Sequence, residues 1–224
     1  MTRIVLVRHG ESKVTVDRVV GGPRSCRGLS DLGRQQAERL RDRWSTSREF
    51  LPDVVVSSAY PRARETAEIL LPALGHSGIE IVPEFGEHDP GPECDGLTYD
   101  EFVRRFGNPD WENDPYGVTF PGGETIADFQ IRIGRAVRTL IDEVGKGTAL
   151  VVCHGGVIDT VLRQALRSPG TGIFEIHTKN TSITELEVVR LGRWKVVRYN
   201  DAAHLAGLPE MTNRAGFPEQ VDDA

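Results

Sequence analysis

Two histidines in this chain stand where chemistry can be done. In Val5-Leu6-Val7-Arg8-His9-Gly10-Glu11-Ser12 a short apolar run ends abruptly in an arginine, a histidine and a glycine. Far along the chain, Ala149-Leu150-Val151-Val152-Cys153-His154-Gly155-Gly156 repeats the same grammar. Each run reads as a buried strand, so each imidazole arrives at a strand end, where ligands bind in open α/β sheets. The glycine that follows permits a sharp turn and the close approach of a ligand. Imidazole serves as nucleophile or base near neutral pH. Arg8 adds a planar fork of donors that grips phosphate oxygens bidentately. Behind His154 a glycine pair opens a helical pattern whose free N–H groups suit an anion. A strand-end histidine also occurs as a plain packing group, but an arginine beside it makes poor packing and a good anion clamp.

A third element is Ser57-Ser58-Ala59-Tyr60-Pro61-Arg62-Ala63-Arg64-Glu65-Thr66. Arg62 falls in the first turn of a helix that begins just past a strand, so it can point back over the sheet edge, with Thr66 one turn further on the same face. The competing reading is a solvated arginine paired with Glu65 or Glu68, which fits Arg64 better because Arg64 and Glu68 are four apart.

Placing these groups requires alternating strands and helices, and the chain supplies them. Ile4–Val7 reads as the first strand. Ser30 caps a helix with Ala37, Leu40 and Trp44 on one face, and Asp53–Val56 is a second strand. Pro61 opens a helix carrying Ala63, Ala67, Leu70 and Leu74, and Ile79–Val82 is a third strand. Residues 86–123 are rich in Gly, Pro, Asp and Glu, with a short helix over Tyr99–Phe106, and read as an insertion lying over the sheet as a lid. Thr125 and Asp128 form a capping box for a long helix whose apolar face is Ile126, Phe129, Ile133, Val137, Leu140 and Val144. A strand over 149–153 follows, then a helix with Val157, Val161 and Ala165 on one stripe. Ile183–Val189 and Trp194–Tyr199 make a hairpin around Gly192. The expectation is an α/β fold: a three-layer α/β/α sandwich with a mostly parallel central sheet. It forms one domain over 1–207 with an inserted lid region, and 208–224 is a flexible tail.

Composition narrows the function classes. The 224 residues carry a net charge of −6 and are 38% hydrophobic, enough for one well-packed core. Lys and Arg form no run of the kind that tracks nucleic acid, so the arginines near glycine-rich turns point to a local pocket for a small anion. The apolar run before Arg8 is too short for a signal peptide or a membrane span. Cys26, Cys94 and Cys153 are odd in number and lack paired spacing, which argues against disulfides and zinc and for a reducing cytoplasm. No nucleic-acid or membrane partner is expected. An edge strand near the C-terminal hairpin offers a surface for a homodimer.

The motifs together resemble the histidine phosphatase superfamily, the phosphoglycerate-mutase-like proteins of branch 1. Arg8-His9-Gly10-Glu11-Ser12 is similar to the family's nucleophile signature, Ser57-Ser58 through Thr66 to its second arginine block, and Val152–Gly156 to its second histidine block, in family order over residues 3 to about 200. The resemblance implies that His9 becomes phosphorylated and that Arg8, Arg62 and His154 hold the phosphoryl oxygens. It makes Glu87, in Glu87-His88-Asp89-Pro90-Gly91, the candidate proton donor, and Asn180-Thr181-Ser182 a segment bordering the pocket. Gly155 and Thr15 join the phosphate-binding set. The family often has an asparagine where Thr15 stands, and a hydroxyl offers fewer donors. The usual Asp-x-Pro-Leu is replaced by Cys26-Arg27-Gly28-Leu29. The stretch Glu87–Gly96 is one residue longer than the common spacing, so Asp89 and Glu93 rival Glu87 as the acid.

No cofactor and no metal are expected; His88-Asp89 lacks ligand spacing. Cys153 reads as a small buried apolar group. Trp111 either lines the pocket or anchors the insertion. Arg104-Arg105 either reach a substrate carboxylate or form a solvated helix face. The reading taken is a metal-independent phosphatase acting on a small phosphorylated metabolite through a phosphohistidine. The alternatives are a phosphoglycerate-type mutase and a non-catalytic phosphate-ligand-binding protein. Relatives of the mutase type carry a more basic Arg-Arg-Ser, proline-rich insertion, where this chain has Arg104-Arg105-Phe106-Gly107-Asn108-Pro109.

Overall fold

Apolar runs without period-two alternation must be covered on both faces, and the strands over 2–8, 54–57 and 148–153 meet that requirement. The computed structural model describes residues 1–49, 51–109, 114, 116–117, 119–171, 176–190 and 192–209. Trp111 and most of the expected tail, from 210 onward, lie outside the described residues. The first half contains β1 (Thr2–Arg8), α1 (Lys13–Val16), α2 (Asp31–Ser47), β2 (Val54–Ser57), α3 (Pro61–Leu70) and β3 (Glu80–Ile81). Then follow α4 (Gly91–Cys94), α5 (Tyr99–Phe106), α6 (Ile126–Val144), β4 (Thr148–Cys153), α7 (Gly155–Leu166), β5 (Ile183–Arg190) and β6 (Arg193–Asp201).

The six strands form one sheet in the order β3-β2-β4-β1-β5-β6. β1 through β4 are mutually parallel, β5 runs antiparallel to β1, and β6 antiparallel to β5. The two faces of β1 divide the core. Ile4 and Leu6 pack with Phe129, Ile133 and Val137 of α6 and Val157 and Val161 of α7. Val5 and Val7 pack with Leu40 and Trp44 of α2 and Ala63, Ala67 and Leu70 of α3. Each fully buried Leu, Ile or Val contributes roughly 1.5–3 kcal/mol. The result is the three-layer α/β/α arrangement expected from the alternation of elements.

Local chemistry starts the helices. Ser30 accepts a hydrogen bond from Gly33 N (3.0 Å), Thr98 from Glu101 N (3.2 Å) and Thr125 from Asp128 N (3.0 Å); each such cap is worth about 1 kcal/mol. Pro61 occupies the first turn of α3, where its missing N–H costs nothing.

The described part of the inserted segment is tied to residues near the N-terminus of the chain. Phe102 of α5 packs with Val20, Cys94 and Phe120 in a third, smaller core. Val20 N donates to Leu97 O (2.8 Å) and Gly96 N donates back to Val20 O (2.9 Å). The Asp95 carboxylate accepts from the backbone N–H groups of Gly22 (3.0 Å), Arg24 (2.7 Å) and Ser25 (3.1 Å). The segment therefore folds together with residues 18–25.

Register explains how two distant histidines meet. β1 and β4 are adjacent and parallel, with Arg8 opposite Cys153. The next residue of each strand is a histidine, and His9 N donates to Cys153 O (2.9 Å). Gly10 is required for a different reason from ligand access: a Cβ there would overlap the Gly33 carbonyl of α2. Cys26, Cys94 and Cys153 are free and buried. Among the described residues no helix is long and apolar enough to cross a membrane.

Candidate active site

The site is built from the carboxyl ends of β1, β2 and β4 and the first turns of α3 and α7. His9, Arg62 and His154 are 5%, 4% and 0% exposed, so three ionisable groups share one desolvated space. The two imidazole rings meet edge to face, with centroids 5.0 Å apart. Burial is the leading cause that pulls both histidines well below 6.5, and the Arg62 charge adds to it at each. Both imidazoles are therefore neutral at physiological pH.

The proton positions follow from fixed partners. His9 Nδ1 lies 2.6 Å from the Gly10 carbonyl oxygen, which can only accept, so Nδ1 carries the hydrogen and Nε2 holds the lone pair. Arg62 Nε donates to that Nε2 (3.1 Å) and to His154 Nδ1 (3.3 Å). One N–H thus faces two ring lone pairs, at a point where a small anion would gain several donors. Arg62 Nη1 donates to Gly21 O (3.2 Å), and its guanidinium lies 4.5 Å from the centre of the Tyr60 ring.

Arg8 is half-buried, donates through Nη1 to the Thr178 carbonyl, and keeps its Nε without a partner. An unpaired buried donor beside two guanidinium-linked histidines is the mark of a pocket that awaits an acceptor. Desolvation lowers the Arg8 pKa, with Glu87 opposing and Arg62 adding to the shift. A Cβ on Gly155 would stand 3.6 Å from Arg8 Nε, in ordinary contact, whereas one on Gly156 would collide with the Glu87 carboxylate. The second glycine of the pair is the one whose absent side chain makes room.

Glu87 is half-buried and accepts from Gly156 N (3.1 Å) at the start of α7 and from His88 N (3.1 Å). Its backbone carbonyl accepts from Arg132 Nη2 (3.2 Å), and Arg132 also pairs with Glu124 (2.8 Å). Of the three rival acids, Glu87 is the one bonded to the helix that begins beside His154. Asp89 is exposed and closes a turn by accepting from Gly91 N (2.9 Å), and Glu93 is exposed in the first turn of α4.

Other sequence candidates fall into place. Asn180 Nδ2 donates to His9 O (2.8 Å) and Thr181 N to Arg8 O (2.9 Å), so this segment holds the backbone of Arg8 and His9. The Thr15 hydroxyl is hydrogen-bonded to Ser12 Oγ (2.9 Å). Arg104 and Arg105 both pair with Glu101 on the exposed face of α5, the solvated-face alternative. Burial pushes the Cys153 thiol up, as suits an inert apolar group. His88 packs against Phe120 and Phe129, and among the described residues no cluster of three His, Cys, Asp or Glu could hold a metal ion. Sequence reasoning passed over Arg132 of α6, which bonds the carbonyls of Glu84, Gly86 and Glu87. It also passed over the contact of Ser58 Oγ with His154 Nε2 (2.8 Å). Ser58 had a visible signal, a polar residue ending an apolar strand; Arg132 had none.

Two arginines and two histidines converge at the carboxyl ends of the parallel strands, an arrangement suited to a small anion. The chain belongs to the histidine phosphatase superfamily (branch 1), whose model matches residues 4–202. It is 30% identical to phosphoglycerate mutase-like protein 4 of Arabidopsis thaliana over 90% of this chain and 86% of that protein. It is 26% identical to the uncharacterized phosphatase PhoE of Bacillus subtilis over 92% of this chain and 98% of that one. Among solved structures, the mycobacterial glucosyl-3-phosphoglycerate phosphatase in complex with VO3 is similar with a TM-score of 0.75 and 25% identity. That likeness covers 88% of this chain and 98% of the other. The phosphatase neighbours support a phosphatase activity in this family.

Proposed function

We propose that the protein is a metal-independent phosphomonoesterase that acts on a small phosphorylated metabolite through a phosphohistidine at His9. The observation that carries this reading is the pair of ring lone pairs, His9 Nε2 and His154 Nδ1, gathered on one Arg62 N–H beside the unpartnered Nε of Arg8. A transferring phosphoryl group spreads negative charge over three oxygens, so positioning and fixed positive charge supply most of the catalysis. Arg8, Arg62 and the N–H groups opening α7 supply that charge from protein groups alone.

In the first step His9 Nε2 forms a bond to phosphorus as the bond to the leaving oxygen breaks, and that oxygen takes a proton from the Glu87 carboxyl group. In the second step Glu87 carboxylate takes a proton from water, the water oxygen bonds to phosphorus, and the P–N bond breaks to restore the Nε2 lone pair. Phosphate then leaves. Dividing the displacement in this way replaces one difficult step with two easier ones.

Glu87→Gln tests the acid. Turnover of an alkyl phosphate, whose leaving oxygen needs a proton, falls roughly 10²–10⁴-fold, whereas an aryl phosphate with an acidic phenol loses far less in its first step. Because Glu87 also serves the second step, the comparison is made on the first, as the single-turnover rate of release of the alcohol or phenol. Equal losses there for both substrates, or the same pattern in Asp89→Asn with Glu87→Gln unaffected, would remove Glu87 from the role. A mutase reading has support from the 30% identity to the mutase-like protein. Incubation with phosphoglycerates separates the two: a phosphatase releases phosphate, and a mutase interconverts isomers without releasing it.

A further inference from the structure

Ser58 immediately follows β2 and is 0% exposed, with no part in the phosphoryl contacts described above. Its Oγ lies 2.8 Å from His154 Nε2 and accepts from Tyr60 N at 3.2 Å. On the other side of the same imidazole, Arg62 Nε–H points at Nδ1. A guanidinium has only donors, so Nδ1 must hold a lone pair and the hydrogen of the neutral ring must sit on Nε2. Ser58 Oγ is then the acceptor of that hydrogen.

We infer that Ser58 is the positioning residue of His154: by accepting Nε2–H it fixes the tautomer, and it thereby directs any second proton to Nδ1, the nitrogen that faces the substrate phosphoryl group. The inference rests on the phosphatase reading and extends it to how the second histidine is made a donor. With Nε2 already occupied, protonation at His154 creates an N–H aimed into the pocket rather than away from it. Without an acceptor at Ser58, the buried Nε2–H has no partner and the ring is free to reverse its tautomer, presenting a lone pair differently to the anion.

The charges around His154 explain why such an acceptor matters. Arg62 from α3, His9 and Arg8 from the end of β1, and Arg132 from α6 all oppose a positive charge on the ring, together with burial. The Glu87 carboxyl group accepts from Gly156 N at the start of α7, and the Tyr60 ring stands edge-on with its centroid 4.9 Å from the imidazole. A bound phosphoryl dianion would favour the imidazolium, and Ser58 accepts from Nε2–H in that form as in the neutral one.

The test uses the full chain with ¹⁵N-labelled histidine, His154 being assigned by its loss in His154→Gln. Long-range ¹H–¹⁵N correlation on the ligand-free protein is expected to show a protonated Nε2 and an unprotonated Nδ1 at His154. A hydrogen on Nδ1 in that state overturns the inference, whatever the kinetics. In Ser58→Ala the tautomers mix, kcat for an aryl phosphate falls about 10–100-fold with little change in KM, as for lost partners of ligating histidines. The high-pH limb of kcat, where the imidazolium loses its proton, moves to lower pH by roughly one unit, the margin by which a hydrogen bond from the charged ring exceeds one from the neutral ring. Ser58→Thr, which keeps the hydroxyl, restores both the limb and the tautomer. A Ser58→Ala protein with an unaltered tautomer and pH profile would contradict the inference. Retained turnover by His9→Ala with the tautomer as stated would instead contradict the phosphatase mechanism alone.

Discussion

His9→Ala is expected to abolish hydrolysis of an aryl phosphate, with kcat lowered roughly a thousandfold or more, as when a nucleophile is removed from an intact site. The reasoning is specific to one nitrogen. Nδ1–H is spent on the Gly10 carbonyl, so Nε2 is the only ring atom with a free electron pair, and it is held toward Arg62 and the second histidine. Burial and the neighbouring guanidinium groups keep it unprotonated, so it is ready to attack without a separate base. The fold should survive the change. β1 keeps its pairing with β4 and β5 through backbone bonds, and Arg62 retains His154 and Gly21 as partners. A thermal melt close to that of the unaltered protein, beside absent turnover, is the expected pair of results. Turnover within tenfold of normal would remove His9 from the nucleophile role.

Arg62→Ala is expected to lower kcat/KM by about 10²–10³, the cost of losing one preorganised donor to developing charge. Arg62 also has an effect that Arg8 does not share to the same degree. After burial, its charge is the largest influence holding His9 and His154 below their ordinary pKa. Without it both values rise toward 6.5. The sign is clear for a nucleophile that must be neutral: activity disappears as pH falls through its pKa, so the low-pH limb moves upward. Arg62→Lys keeps a charge near the site and therefore keeps much of the limb, but it lacks the fork that bridges two imidazoles and a carbonyl, so little of the rate returns. A pH–rate series on the three proteins checks this. A limb that stays in place in Arg62→Ala would show that burial alone sets the histidine pKa.

Much of this arrangement was legible because the chemistry that sets it is local. The apolar runs at 4–7 and 149–153 form strands with both faces covered, and a histidine follows each of them directly in the chain. Ser30 and Thr125 mark helix starts through bonds that span only three residues, and the bounds of α5 agree with the reading of Tyr99–Phe106. What stayed hidden depends on contacts between distant segments. The antiparallel placement of β5 against β1 leaves no period in either strand. Gly10 could be read as ligand access, whereas its close neighbour is the Gly33 carbonyl of α2. Arg132 reads as a polar position of an amphipathic helix, yet it organises the segment that carries Glu87. The acid was ambiguous among Glu87, Asp89 and Glu93 because a loop of altered length gives no register. The bond from Gly156 N sets Glu87 beside the start of α7, which is what favours it in the proposal.

The central claim is a covalent phosphohistidine at His9, and rapid quenching under mildly alkaline conditions, which preserve the P–N bond, tests it most directly. During steady-state turnover of a phosphomonoester, mass spectrometry of the quenched protein should find one phosphoryl group on the peptide that contains His9. It should be absent in His9→Ala and increased relative to the unaltered protein where the second step is slowed, as in Glu87→Gln with an aryl phosphate. A phosphoryl group on another residue, or an unmodified His9 while turnover proceeds and that variant stalls, would contradict the account.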